Sequence, residues 1–183
     1  EKLDGENTTL LPDRVHARSE DSAHHPSRTR VKALHARIAA SLPEGWRICG
    51  ENVAARHSLA YADLRGWFYA FSVWDGTRCL DWDATVAFAH ERGLPTPTVL
   101  YRGPWDPGVI RRIPVPRERM EGYVVRTVAG FEHPDFGAHV AKWVRPGHVQ
   151  TDQHWMHAPV VWNGLGPDAV PWTLKSGGPV DVE

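Results

Sequence analysis

The chain opens Glu1-Lys2-Leu3-Asp4-Gly5-Glu6-Asn7, and the lysine in that run has neighbours suited to a nucleophile. A lysine amine is ordinarily protonated and inert at neutral pH. Attack on phosphorus needs the neutral amine, which nearby positive charge or a metal favours. Gly5 lets the backbone approach a ligand closely. Asp4 and Asn7 supply a carboxylate and an amide that can orient the amine, a hydroxyl or a hydrated cation. Other groups suited to polyphosphate chemistry follow along the chain. Arg18 carries a planar fork that fits phosphate or ribose. Arg28 and Arg30 lie in a polar stretch with His24 and His25, placed to grip phosphates or a nucleic-acid end. The adjacent histidines have no matched partner set elsewhere, so they do not read as a structural zinc site.

These groups need elements to hold them. Leu3 to Leu11 alternates as a strand and stops at Pro12-Asp13. Val15 to Arg18 reads as a returning strand, and Ser19 to Arg30 as a loop. Val31, Leu34, Ile38 and Leu42 give helical periodicity up to Pro43-Glu44-Gly45. Trp46 to Val53 is a strand, and so is the aromatic-rich run Phe68 to Trp74, which closes at Asp75-Gly76. Thr77 to Trp82 pairs back as a hairpin. Asp83-Ala84-Thr85 starts a second helix that runs to Glu91 and ends at Gly93. Val99 to Tyr101 is a short strand, and Pro104 to Arg119 is loop with weak helix. Gly122 to Val128 and His139 to Val144 are strands. Thr151 onward gives no clear element. Several strands with two helices between them predict an α+β domain on antiparallel sheet.

At 183 residues the chain can bury one full core. Its 21 basic and 22 acidic side chains nearly cancel, so any nucleic-acid site must be a local patch. The 9 tryptophans read first as packing residues. Cys49 and Cys79 are too few for a disulfide framework, and nothing points to secretion, so a cytoplasmic protein is expected. No apolar run approaches the ~18 residues of a membrane span, and no membrane partner is expected. Glu1 does not look like a natural start. Residues 1–183 are therefore read as one domain, a fragment lacking its natural N-terminus.

Taken in order, the segments Glu1 to Asn7, Arg18-Ser19, Gly50-Glu51-Asn52, Phe68 to Asp75, Glu121 to Arg126 and Ala141-Lys142-Trp143-Val144-Arg145 resemble the motif series of the covalent nucleotidyltransferases. That superfamily comprises ATP-dependent DNA ligases, RNA ligases and mRNA capping enzymes. Asn7, Arg18-Ser19 and the Ala-Lys-Trp-Val-Arg ending look most like ATP-dependent RNA ligases of the phage RNA ligase 2 type. The resemblance spans Glu1 to about Arg145. It implies a nucleotidyltransferase (ATP-grasp-like ligase) domain of antiparallel sheets with flanking helices. It implies that Lys2 attacks the α-phosphorus of ATP to give lysyl-AMP. The AMP then passes to an RNA 5′-phosphate, and a 3′-OH seals the strand. By the same resemblance Glu1, Asp4, Gly5, Asn7, Arg18, Glu51, Phe68, Glu121, Lys142 and Arg145 surround the nucleotide. Phe68 is the ring set against adenine, with Phe71 as the fallback. Glu51 and Glu121 hold Mg²⁺ or Mn²⁺, Lys142 neutralises the α-phosphate, and Arg28 and Arg30 contact RNA. Two positions depart from the pattern: Ser72 stands where many relatives have aspartate, and Val144 where many have a second lysine. A DNA ligase, a capping guanylyltransferase and a non-catalytic domain that binds nucleotide or RNA ends are the competing readings.

Overall fold

The computed structural model describes residues 1–21, 24–148 and 159–169. The chain is α+β with antiparallel sheets. It runs β1 (Glu6–Leu10), β2 (Val15–Ala17), α1 (Thr29–Ile38), β3 (Trp46–Asn52), β4 (Phe68–Asp75), β5 (Arg78–Cys79), α2 (Trp82–Glu91), α3 (Pro107–Arg111), β6 (Gly122–Arg126), β7 (Phe131–Glu132) and β8 (Val140–Val144). Six strands form one sheet in the order β2-β1-β3-β4-β5-β7, and β6 pairs with β8 in a second. Among the described residues no helix is long and apolar enough to cross a membrane.

One face of the large sheet is closed by the two longer helices. Val31, Leu34 and Ile38 form the buried stripe of α1, at the spacing that puts side chains on one helical face. They pack with Leu10, Ile48, Phe68, Ala70, Val73, Ala89 and Leu94 into the main core. Asp81 starts α2 by accepting a hydrogen bond from the Ala84 amide at 2.8 Å, a standard N-cap that satisfies an otherwise orphaned donor. A second cluster joins Leu3, Val53, Ala54, Leu59, Tyr61, Leu64, Trp67 and Tyr69. Leu165, from the later chain, packs against it.

The opposite face of the large sheet is left for the site. Across β1, β3 and β4, Asn7 pairs with Glu51 and Glu51 with Tyr69. Side chains of directly paired residues share a face, so this row lies away from the helices. In β4 the pairing jumps from Ala70 opposite Gly50 to Ser72 opposite Cys49. Phe71 is the extra residue of a β-bulge, a device that bends a strand and re-aims a side chain.

The small sheet joins this scaffold at its first residues. The Lys2 amide donates to the Gly122 carbonyl at 3.0 Å, and the Glu121 amide donates to the Lys2 carbonyl at 3.1 Å. A Cβ on Gly122 would run into the Trp143 carbonyl oxygen, so glycine is what lets β6 sit this close to β8. On β6 and β8 the residues Val124, Arg126 and Lys142 share a face. Arg126 donates from that face to the Phe71 carbonyl at 3.1 Å and the Leu80 carbonyl at 3.1 Å. The face bearing Lys142 therefore looks across at the large sheet.

Several elements differ from the sequence reading. The first strand begins at Glu6, while Lys2 forms its own bridge to Gly122. The run Thr77 to Trp82 splits, since Asp81 caps α2 and leaves only Arg78–Cys79 as strand. Val99 to Tyr101 forms no strand. The Thr98 amide just before it is held by the Glu1 carboxylate at 2.8 Å. The two-residue β7 was not anticipated. Of the stretch from Thr151, residues 151–158 and 170–183 lie outside the described residues. The described part bridges Trp162 to Ala55 and Leu165 to Leu64.

Candidate active site

At the point where the two sheets meet, the Lys2 amine touches Glu121 Oε1. Both side chains are largely buried, with 21 % and 11 % of their surface exposed. The backbone bridge between Lys2 and Gly122 fixes this pairing. Glu51 sits beside them on β3, and its Oε1 accepts from the Gly5 amide at 3.2 Å. Burial pushes the Glu51 carboxyl up to about 7; Lys2 pulls it down, while Glu121 and Asp4 add to the rise. Three acidic groups and one lysine thus leave an excess of negative charge where a cation or a polyphosphate–metal complex would be stabilised.

Asp4 is buried and turned inward. Its Oδ2 accepts from the Ser58 amide at 2.7 Å and the Leu59 amide at 2.6 Å, and its own amide donates to the Tyr61 hydroxyl at 2.9 Å. Burial pushes the Tyr61 phenol up, so it stays protonated. Asp4 Oδ1 lies 3.3 Å from His148 Nε2, and that nitrogen lies 2.6 Å from Glu121 Oε2. Asp4, Glu121 and His148 are all buried, and their ligand atoms lie within 4.8 Å of one another.

Along the same face of the large sheet runs a groove of about 280 Å³ lined by Asn7, Arg47, Cys49, Phe71, Ser72, Trp74, His133 and Phe136. It starts two residues along β3 from Glu51. Arg47 lies over the Trp74 ring at 4.6 Å, and Trp74 stacks on Phe136 with centroids 6.4 Å apart. Arg18 follows Ala17, which pairs with Thr8. β2 ends at Ala17, and Arg18 stands exposed in the bend that follows it.

The structure thus brings Lys2, Asp4, Gly5, Glu51 and Glu121 together where the sheets meet, with Asn7 on the adjoining groove; Arg18 beyond β2 and Lys142 on β8 are exposed and stand outside these contacts. It gives five other expected residues different partners. Phe68 is fully buried in the helix-side core, so its ring cannot meet a ligand; Phe71, re-aimed by the bulge, lines the groove with Trp74 and Phe136. Arg28 is buried and binds Glu6 through two hydrogen bonds of 2.8 Å and 2.6 Å, which ties α1 to β1 and leaves no fork for RNA. The Arg30 guanidinium lies 4.2 Å from the Trp67 ring centroid and 4.5 Å from that of Trp162, a cation–π clamp rather than a phosphate grip. Arg145 turns to His148 Nδ1 at 3.2 Å. Glu1 holds Thr98 through both its terminal amine and its carboxylate.

Sequence reasoning missed Tyr61 and His148. Tyr61 lies in the connection between β3 and β4 and belongs to no motif. His148 follows Pro146-Gly147, and Gly147 turns the chain with φ +68°, a conformation that glycine adopts freely. That turn, two residues past Arg145, is the local signal that the chain doubles back into the site.

Residues 1–144 match the family model described as RNA ligase. No curated protein and no solved structure matches the chain.

Proposed function

The chain belongs to the RNA ligase family, and on that premise we propose that it is an ATP-dependent RNA ligase working through a covalent lysyl-AMP. The observation that carries this reading is the meeting of Lys2, Glu121 and Glu51 at the junction of two sheets, next to an aromatic groove. The architecture reads as a nucleotidyltransferase domain of the ATP-grasp-like ligase kind.

In the first step the Lys2 Nζ lone pair attacks the α-phosphorus of ATP. The bond to the bridging oxygen breaks, pyrophosphate leaves, and the amine proton departs through the Glu121 carboxylate that touches it. Lys142 on β8 offers positive charge to the phosphate oxygens. Phe71 offers a face to the adenine beside Asn7 in the groove, and Arg18 offers its fork to phosphate or ribose. In the second step the RNA 5′-phosphate displaces Lys2 from phosphorus, which regenerates the amine. In the third a 3′-hydroxyl attacks the 5′-phosphorus and AMP leaves. Positioning and charge neutralisation carry most of such phosphoryl transfer.

Glu51 and Glu121 are the residues suited to hold Mg²⁺ or Mn²⁺. They are hard oxygen donors brought together beside Lys2 where the sheets meet. A bound ion would supply neutralisation of the polyphosphate. ATP use and free Cys49 and Cys79 fit a cytoplasmic protein.

Intact-mass measurement after incubation with ATP and Mg²⁺ tests the reading. The wild type should gain one AMP, and Lys2→Ala should gain nothing. An adduct with GTP in place of ATP would move the protein to the capping chemistry. No adduct with either nucleotide would leave only a binding domain.

A further inference from the structure

The His148 ring is buried against two carboxylates, with 3 % of its side chain exposed. Nε2 lies 2.6 Å from Glu121 Oε2 and 3.3 Å from Asp4 Oδ1, yet it is in hydrogen-bond alignment with neither. Two roles fit such a contact. Nε2 could carry its lone pair and ligate a metal together with the carboxylates, or it could carry a proton and share it between them.

The other ring nitrogen decides. Nδ1 faces an Arg145 guanidinium N–H at 3.2 Å. A guanidinium has only donors, so Nδ1 is the acceptor and the ring proton sits on Nε2. A metal-ligating histidine has the opposite arrangement, donating its second N–H to a carboxylate, a carbonyl or water. Arg145 is itself fixed, its amide donating to the Glu121 carbonyl at 2.9 Å.

We infer that His148 is a positioning residue for the adenylylation step, acting through Glu121. Its Nε2 edge lies against Glu121 Oε2 at 2.6 Å, and the carboxylate presents Oε1 to Lys2. Asp4, already held by Ser58 and Leu59, braces the ring from the other side. Without this contact Glu121 rotates about its terminal bonds, and Lys2 loses its partner in the attacking geometry. This role rests on the ligase reading above, whereas the tautomer that underlies it does not.

Two measurements test it. Long-range ¹H–¹⁵N correlation on histidine-labelled full chain should show His148 protonated on Nε2 and bare at Nδ1; a proton on Nδ1 overturns the inference whether or not the protein is active. Adenylylation kinetics then compare His148→Leu, which keeps bulk without a donor, with His148→Gln, which keeps a donor near Nε2. At saturating ATP and Mg²⁺, His148→Leu should slow adduct formation by about 10-fold or more. The KM for ATP should stay within about twofold, and His148→Gln should recover most of the rate. If His148→Leu does not fold, His148→Asn, whose amide is too short to reach Glu121, takes its place. Equal rates in all variants, with the wild type forming its adduct, would sink the positioning role and leave the ligase reading intact. A stoichiometric metal retained by the wild type and lost in His148→Gln would also overturn it, since the ring would then be a ligand.

Discussion

A carboxyl buried beside two others holds its proton harder than one in water. For Glu51 the largest cause is burial, followed by the opposing pull of Lys2 and the push of Glu121. Its folded value of about 7 lies above the ordinary 4.5, so between these values the folded state binds more protons than the unfolded state. Stability therefore falls as pH rises through that window, and the full penalty is present above it. Replacing the carboxylate by its neutral isostere removes the penalty. Relative to wild type, Glu51→Gln should gain on the order of 2 kcal/mol at about pH 8 and little at about pH 5. Urea unfolding of both proteins at the two pH values measures this. A difference independent of pH would mean that Glu51 is ionised in the folded protein throughout. The same variant should lose adenylylation, because stability and function ask opposite things of this side chain.

At the level of elements, β4 shows how one inserted residue sorts core from site. Ala70 and Val73 are both in the helix-side core although they stand three apart, which strict alternation forbids. Phe71 takes up the difference and opens onto the groove. Phe68→Ala should then cost about 3–5 kcal/mol of stability by leaving a cavity. Phe71→Ala should cost far less stability and instead raise the KM for ATP. Denaturant midpoints and adenylylation kinetics on the two variants separate the roles, and the reverse pattern would return Phe68 to the site. This strand also marks the limit of what could be read beforehand. The apolar run announced a strand, and the periodic spacing in α1 announced a helix. The spacing of Lys2, Glu51, Glu121 and Lys142 along the chain matched the order of a motif series. A bulge has no signature of its own, however, because it depends on how β3 pairs with β4. The partners of Arg28 and Arg30 were equally illegible: an arginine in a polar stretch looks the same whether it meets phosphate, Glu6 or two indoles. His148 escaped for the same reason, since its meaning comes from Asp4, which is distant in the chain.

Across the whole molecule, the site depends on a segment that the motif series does not include. Residues 53–67, between β3 and β4, are gripped from two sides. Asp4 accepts from the amides of Ser58 and Leu59. On the other side Asn163 accepts from the Tyr61 amide at 2.9 Å and donates to the carbonyls of Val53 and Ala55 at 2.8 Å and 3.3 Å. Trp162 adds one wall of the Arg30 clamp, and Trp67 adds the other. The chain near Asn163 therefore acts as a buckle that fixes the loop on which Asp4 leans. Buried polar groups deprived of their partners cost about 1–3 kcal/mol each, and Asn163 satisfies three. Asn163→Ala should destabilise the protein by about 3 kcal/mol, measurable in urea. It should also slow adenylylation, although the side chain touches no substrate, because loosening Tyr61 and Leu59 loosens Asp4 beside His148 and Glu121. A destabilised variant that still forms its AMP adduct at the wild-type rate under native conditions would show that the buckle serves stability alone.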